Sequence, residues 1–433
     1  VSEVETEEYV GRLNADLTVG VDVAQTMPLK ANAGLSNRGV TLVGSGLVVT
    51  PNEAEALGLG RVAGLELHVR PYFNGRDLTQ SPRNVFVIDL LGLTADEARQ
   101  RFPEVYEHLL RTVKPERDVN RRKVRRENWW LLGESQPRHR QAVSALRRYI
   151  ATSMTARHRL FLFLSANALP DQGLVAIALD DALHLGVLSS AVHVEWALAA
   201  GGTLEDRPRY NNSRTFDPFP FPHPTATQAE AVRQLGEAID AHRKARQDET
   251  GVGLTDLYNA VEALRAGRAL TPKEERSAAD GLAHTLLDLH RQLDRAVLDA
   301  YGWSDLDAEA PTFRAAVLDR LVALNAERRA EEDAGTVRYL RPEFQNPGAS
   351  GQAGLDLRTV APVETAPEVV TRPWPEALAA RTVAVRQAVA AGAQTPEAVA
   401  ARFAGARLGA VAEVLDALAE LGLVHVADGV FTA

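Results

Sequence analysis

The sequence predicts an α+β fold: a mixed α/β domain, then an α-helical spacer, then a small C-terminal module of the winged-helix kind. Three observations carry that prediction. Up to about residue 224, strand-length apolar runs alternate with capped helical stretches. From 225 to 345 the apolar residues recur every three or four positions, as along one face of a helix. After 373, three helical segments precede two short apolar runs around Asp428-Gly429.

The elements follow in order. Val40 to Val49 is a strand-like run, and Thr50-Pro51-Asn52-Glu53 supplies an N-cap, a proline at the first helical position and a capping-box Glu. Asn84 to Leu91 repeats the strand, and Thr94-Ala95-Asp96-Glu97 repeats the capping box. Pro103 opens a further helix with Val105, Tyr106, Leu109 and Leu110 on one face. Tyr149 to Thr152, Leu160 to Leu164 and Leu174 to Leu179 have strand length. One helix covers Thr227 to Arg246, and another starts at Thr271-Pro272-Lys273-Glu274. The second carries Leu282, Leu286, Leu289 and Leu293, a packing seam between antiparallel helices rather than a membrane stripe.

Asn346 to Arg372, rich in Pro, Gly, Ala and Thr, reads as a linker. Beyond it an alanine-rich helix ends near Gly392, and Thr395-Pro396-Glu397 caps a helix running to Phe403. Ala406 to Leu421 forms the third helix, and Leu423 to Val426 and Val430 to Thr432 the strands. That third helix shows Glu413, Asp416 and Glu420 against Arg407 alone. A DNA-reading helix needs the opposite sign, so a protein–protein or intramolecular role is expected. The expected boundaries are a tail over 1–35, the α/β domain over 36–224, the spacer over 225–345, the linker over 346–372 and the module over 373–433.

A hydrophobic content of 45% with 24% charged residues is that of ordinary globular domains. No apolar run approaches the ~20 residues of a membrane span. The absence of cysteine excludes disulfides and thiolate metal sites and fits a reducing compartment. The chain begins with acidic residues, without an initiator Met or a signal-peptide pattern, and reads as a fragment or processed product. Charge is unevenly spread. Between Arg111 and Arg159 lie fourteen basic residues against Glu116, Asp118, Glu127 and Glu134, in a chain of net charge −9. Such a tract draws a polyanion to one face, and because it is nearly all arginine it suits phosphates and guanine edges. A solvated basic surface is the alternative.

No enzymatic constellation emerges. Gly44-Ser45-Gly46 and Gly58-Leu59-Gly60 complete neither a dinucleotide nor a methyl-donor loop and read as turns. The eleven histidines have no metal-ligand spacing, and no acidic pair followed by E-x-K marks a nuclease. Asp217-Pro218-Phe219-Pro220 is similar to the Asp-Pro-Pro-Tyr/Phe loop that holds a flipped base in amino-methyltransferases. Its second proline is displaced by Phe219, which rules it out as a catalytic loop.

Read in full, Arg209-Tyr210-Asn211-Asn212-Ser213-Arg214-Thr215-Phe216-Asp217-Pro218-Phe219-Pro220-Phe221-Pro222 resembles the segment that closes the target-recognition domain of MmeI-like class I DNA methyltransferases, of the fused restriction-modification type. Asn14-Ala15-Asp16-Leu17 resembles the segment just beyond the catalytic domain of that family. Arg70-Pro71-Tyr72-Phe73-Asn74-Gly75-Arg76-Asp77-Leu78 resembles the motif that opens the recognition domain. Arg148-Tyr149-Ile150-Ala151 and Arg157-His158-Arg159 look like its central strand and following basic turn. His184-Leu185-Gly186-Val187-Leu188-Ser189-Ser190 and the later Trp196 resemble its next helix. The resemblance runs from about residue 10 to 345.

It implies that residues 36–224 recognise double-stranded DNA, in a bacterial, cytoplasmic, nucleoid-associated setting with no membrane. For a parent protein it implies adenine-N6 methylation with S-adenosylmethionine. The family's methyl-donor domain and its Asn-Pro-Pro-Tyr/Phe loop precede these motifs and are not in this chain. A methyltransferase catalytic domain is therefore expected in cis upstream or as a separate chain. No catalytic residue, cofactor or metal is expected within these 433 residues.

Candidate DNA contacts follow from both readings. Arg70, Tyr72, Asn74, Arg76 and Asp77 form either a duplex-entering loop or a polar hairpin turn at Asn74-Gly75. Arg121, Arg122, Lys123, Arg125 and Arg126 suit phosphates, which supply affinity without sequence information. Arg148, Arg157 and Arg159, with Tyr149 and His158, flank strands rigid enough to aim a guanidinium at a guanine edge. Tyr210, Asn211, Asn212 and Arg214 would anchor the domain on the backbone. Trp129, Trp130, Phe216, Phe219 and Phe221 are expected in the core. The competing class of function is a helical and winged-helix interaction scaffold, and a third reading is an intact methyltransferase.

Overall fold

A computed structural model describes residues 21–204, 207–347, 372–375, 378–390, 395–400, 402–404, 406–420, 424–427 and 430–432. They divide into two units, Val1–Gly354 and Leu355–Ala433. The expected linker over 346–372 lies almost wholly outside the described residues.

The first half of the larger unit contains strand β1 (Ser36–Arg38), strand β2 (Val48–Val49), helix α1 (Pro51–Ala56), strand β3 (Val69–Phe73), helix α2 (Gly75–Thr79) and strand β4 (Val85–Ile88). Helices α3 (Ala95–Arg101), α4 (Pro103–Thr112), α5 (Lys114–Asp118), α6 (Lys123–Glu127) and α7 (Pro137–Val143) follow. Then come strands β5 (Arg148–Ser153), β6 (Leu162–Ser165), β7 (Leu169–Pro170) and β8 (Leu174–Ile177). The capping boxes at Thr50 and Thr94 form as read, each with its Glu reciprocating the cap. Val40 to Val49 is not one strand. Val43 at φ 58° and Gly44 at φ 145° turn the chain, and Ser45–Leu47 makes a 3-10 turn before β2.

Two four-stranded sheets result. One has the order β2-β4-β3-β7, with β3 and β7 parallel and the other pairs antiparallel. Its core gathers Val49, Val69, Val87, Ile88, Val105, Leu109 and Trp129. Trp130 packs beside it and donates to the Leu93 carbonyl at 2.9 Å, so both tryptophans serve the interior. The other sheet is antiparallel throughout, in the order β1-β8-β5-β6. All of β8 and five of six residues of β5 are buried, so this sheet is covered on both faces.

Helices provide that cover: α8 (Ala182–Ser189), α9 (Ala191–Gly201), α10 (Ala226–Thr250), α11 (Leu254–Arg265), α12 (Pro272–Gly281), α13 (Ala283–Tyr301) and α14 (Phe313–Asp333). One hydrophobic cluster runs from Val23 to Leu321 and takes in both the sheet and these helices. The helical stretch from 225 is thus part of the sheet's own core and not a separate spacer. The same holds for the end of the expected tail. Leu29 and Leu35 are buried, and the Asn32 amide donates to the carbonyls of Phe216, Asp217 and Phe219 at 3.0, 3.0 and 2.8 Å.

The leucine seam is broken where the sequence suggested continuity. Leu282 adopts φ 49° between α12 and α13 and is 48% exposed, because Gly281 is pressed on Leu257 and α12 stops there. Leu286 and Leu293 keep their expected burial. No single helix among the described residues is long and apolar enough to cross a membrane.

In the smaller unit, helices cover Leu378–Ala390, Pro396–Ala400 and Leu408–Glu420, and His425–Ala427 pairs antiparallel with Val430–Thr432. Arg372–Pro373 pairs parallel with Phe403–Ala404. Val385, Val399, Val411, Leu415, Leu418 and Phe431 form its core, while Glu413 and Asp416 are exposed. This is the expected succession of three helices and a ribbon.

The crossing of α8 and α10 sets the spacing of the large core. A Cβ on Gly236 would lie 2.4 Å from the Ala182 carbonyl oxygen, and one on Gly186 would lie 2.7 Å from a Val232 methyl. Gly236→Ala should therefore destabilise the protein by about 1–3 kcal/mol through backbone displacement, despite improving helix propensity. Thermal unfolding of the full chain checks this; an unchanged or raised midpoint would contradict the close approach.

Candidate nucleic-acid interface

The part of the basic tract from Lys114 to Arg126 folds as a short excursion over α5 and α6, built on the buried Arg117. Arg117 donates to the carbonyls of Leu42 at 3.0 Å and Leu131 at 2.7 Å, and reaches that of Arg125 at 3.5 Å. It has no carboxylate partner among the described residues, and burial holds its pKa below the usual arginine value. Above it, Arg126 donates to the carbonyls of Asn120 at 2.6 Å and Arg121 at 3.2 Å, which fixes the tip. Arg121, Arg122, Lys123 and Arg126 are left exposed. Arg125 is half-buried and lies 3.4 Å from Glu134; Arg122 lies 3.9 Å from the same carboxylate and Lys123 3.5 Å from Glu127. Pairs this exposed hold little energy and leave the cations available to phosphate.

The segment from Arg70 to Leu78 is mostly architecture. Arg70 donates to the carbonyls of Asn167 and Ala166 at 2.8 and 3.2 Å and sits 3.6 Å from Asp89. Tyr72 is buried and donates to Asp171 at 2.7 Å; burial and that carboxylate push its phenol pKa well up. The hairpin expected at Asn74-Gly75 is absent. Instead the Asn74 side chain caps α2, accepting from the amides of Arg76 at 2.9 Å and Asp77 at 3.2 Å. Asp77, buried, returns a bond to the Asn74 amide at 2.8 Å and pairs with Arg83 at 2.7 Å, which keeps its carboxyl below the usual range. Arg76 remains exposed, reaching only Gln80 at 3.5 Å.

The strand-flanking arginines do not present themselves as base readers. Arg148 pairs with Glu237, donates to the Asp180 carbonyl at 3.0 Å and lies 3.7 Å from the centre of the Phe163 ring. Arg159 is buried, donates to Thr152 at 3.2 Å, to the Pro208 carbonyl at 3.1 Å and to the Ser153 carbonyl, and lies over the Tyr210 ring. Burial pulls its pKa down to about 10. Tyr149 is buried and donates to the Ala168 carbonyl at 3.1 Å. His158 is buried between Glu262 and Asn259, each at 2.9 Å. Tyr210 is buried with its hydroxyl 3.0 Å from His193, among Phe216, Phe219 and Phe221, which are core as expected. Asn211 caps the turn Asn212–Phe216 through the Ser213 amide at 3.2 Å. From these two groups only Arg157 and Arg214 are fully exposed, with Asn212 half-exposed.

A line of contacts joins Arg122 and Arg125 to Arg38 and Arg209. Arg122 and Arg125 meet Glu134, whose backbone bridges Thr41; Thr41 bonds Gln172 at 3.1 Å, and the Gln172 carbonyl accepts from Arg38. The next residue, Gly173, accepts from the Met154 amide, and Thr155 bridges Arg209. The cap of α2 abuts this line, since a Cβ on Gly75 would lie 2.9 Å from Ser153. Arg38 and Arg209, both exposed, border it without any sequence motif to mark Arg38.

Residues 25–223 match the family profile described as "MmeI, target recognition domain". No curated protein matches the chain by sequence. Among the solved structures similar to it is the Type IIL restriction-modification enzyme MmeI in complex with DNA, at a TM-score of 0.55 and 19% identity. The similarity covers 73% of this chain and 39% of that one, and at this identity it is a likeness of fold.

Two outcomes test the division between supports and free cations. Arg159→Met should lower stability by about 1–3 kcal/mol, because buried carbonyls lose their donor, whereas Arg157→Ala should stay within about 0.5 kcal/mol of wild type. Urea unfolding reads both, and equal effects would contradict the assignment. Asp217 provides a pH test. Its carboxyl has no side-chain partner among the described residues, and burial raises its pKa to about 6. Folding therefore favours its protonated form, and that contribution is lost as pH rises from the ordinary aspartate range through about 6. Asp217→Asn should gain stability relative to wild type between pH 4 and pH 7.5; a constant difference across that range would exclude the effect.

Proposed function

On the premise that residues 25–223 are a target recognition domain of the MmeI family, we propose that the chain recognises a specific sequence in double-stranded DNA for a site-specific adenine-N6 methyltransferase. The observation that supports this most directly is the line of contacts that joins the exposed Arg122, Arg38 and Arg209 along rigid strands, on a chain that is acidic overall. In this reading Arg121, Arg122, Lys123 and Arg126 grip phosphates. Arg76, Arg157 and Arg214 are the guanidinium groups left to address base edges, positioned by the Asn74 cap, the buried Arg159 and the Asn211 cap. Asn212 contacts the backbone.

Methyl transfer belongs to a catalytic domain in cis or on a separate chain, and S-adenosylmethionine supplies the methyl group there. Gly46, Gly58 and Gly60 stand in turns and close packing rather than in an open loop. Gly46 is pressed against Thr112, where a Cβ would lie 2.1 Å from its hydroxyl, and Gly58 and Gly60 close a turn at φ 104° and 81°. The setting is a bacterial, nucleoid-associated restriction-modification or phage-defence system. The smaller unit, as a winged-helix module with Glu413 and Asp416 exposed, suits a protein contact better than a second DNA contact.

Fluorescence anisotropy of the full chain with duplexes selected from a random pool tests the reading. Affinity should fall with salt at a log–log slope of about −0.9 per phosphate neutralised. Replacing Arg121, Arg122, Lys123 and Arg126 together by Ala should flatten that slope and weaken all sequences alike. Arg76→Ala or Arg157→Ala should relax preference at one base pair by about 1–3 kcal/mol. A salt-independent affinity, or a pool from which no sequence is enriched, would defeat it.

A further inference from the structure

The two most exposed large apolar side chains among the described residues lie five positions apart, on the same excursion as the free cations. Val119 is 82% exposed and Val124 69%. They flank the tip between α5 and α6, beside Arg121, Arg122, Lys123 and Arg126. Nothing in α6 is buried, so this segment gains no hydrophobic stabilisation of its own. It is nevertheless held in shape from below, by Arg117 on three carbonyls and by Arg126 on two. Asn120 completes the frame, donating to the Arg117 carbonyl and accepting from the Arg122 amide at 3.0 Å.

Two hydrated valines among crowded like charges are unfavourable in the free chain on both counts. A surface that is anionic and locally apolar relieves both at once. Duplex DNA offers that combination in the major groove, where phosphates line the walls and the thymine C5-methyl is the apolar group on the base edge. Wedges that part base steps from the minor groove use longer side chains than valine.

We infer that residues 119–126 form a rigid tip that enters the major groove, with Val119 and Val124 packed on thymine methyl groups while Arg121, Arg122, Lys123 and Arg126 hold the flanking phosphates. This rests on the DNA-recognition reading above. The tip thereby contributes a preference for T·A pairs at a position distinct from those reached by Arg76 and Arg157.

The test uses the full 433-residue chain and duplexes it retains from a random pool, each made with thymine and again with uracil at single positions. Wild type should bind the uracil form of at least one position roughly three- to tenfold more weakly, the scale expected for one methyl group removed from a contact. Val119→Ala/Val124→Ala should lose a similar factor on the thymine duplex and become indifferent to uracil. Its thermal midpoint should be unchanged, since neither valine belongs to a core. Indifference of wild type to uracil at every thymine overturns the inference, as does a double variant that loses equally on both duplexes or not at all. Those results leave DNA recognition standing. If wild type retains no duplex from the pool, the functional reading falls and the inference falls with it.

Discussion

A guanidinium taken out of water needs acceptors for its N–H donors, and in this protein several buried arginines find most of theirs on backbone carbonyls, Arg243 also on the Tyr258 hydroxyl. Arg159 joins the end of β5 to Pro208, Arg117 joins Leu42 to Leu131, and Arg341 joins Ala142 to Ala178. Arg243 joins Phe161 to Tyr258. Each ties together segments far apart in sequence, at places where an aliphatic side chain would leave carbonyls unpaired. The recognition edge depends on these ties. Arg117 is the floor of the tip of the basic tract, and Arg159 adds a side-chain tie to the backbone bridge between Thr155 and Arg209.

The helices after residue 225 serve the same edge from behind. Gln247 donates to the Gln80 carbonyl at 2.7 Å, Thr255 to the Thr79 carbonyl at 3.0 Å, and Ser81 to the Gly251 carbonyl at 3.2 Å. The short helix that carries Arg76 is thus clasped at its far end by α10 and α11 while its cap rests on β5. A five-residue helix has little rigidity of its own, and these contacts supply it.

Local chemistry was legible in the sequence and long-range partnership was not. The capping boxes at Thr50, Thr94 and Thr271 depend on residues three apart, and all form. Three strands of the antiparallel sheet, β5, β6 and β8, were visible as apolar runs, whereas the polar Ser36–Arg38 that completes the sheet as β1 was not. The family resemblance located the recognition segment. Arg148 and Arg159, by contrast, looked like readers because arginines beside strands are free in sequence space. Glu237, 89 residues from Arg148, and Pro208, 49 from Arg159, take that freedom away. Arg117, inside a basic tract, gave no sign that it would be buried while Arg121, Arg122, Lys123 and Arg126 stay exposed. The break at Leu282 was hidden for a similar reason. The leucine spacing continues through it, and the cause is Gly281 meeting Leu257 from another helix. The boundary at residue 224 followed a change of secondary structure, whereas the core is shared across it.

That shared core constrains how such a protein can acquire a new target. A cassette cut at residue 224 would carry away the sheet and leave behind the helices that seal it, exposing Val232, Ile239, Leu257 and Leu293 on one side and Ile150 and Phe163 on the other. Wholesale exchange of specificity therefore has to transplant everything from about Val23 to Leu321 as a single inherited block. The exposed arginines and the two valines of the tip lie outside the packing that the block must preserve, so they can change without disturbing it.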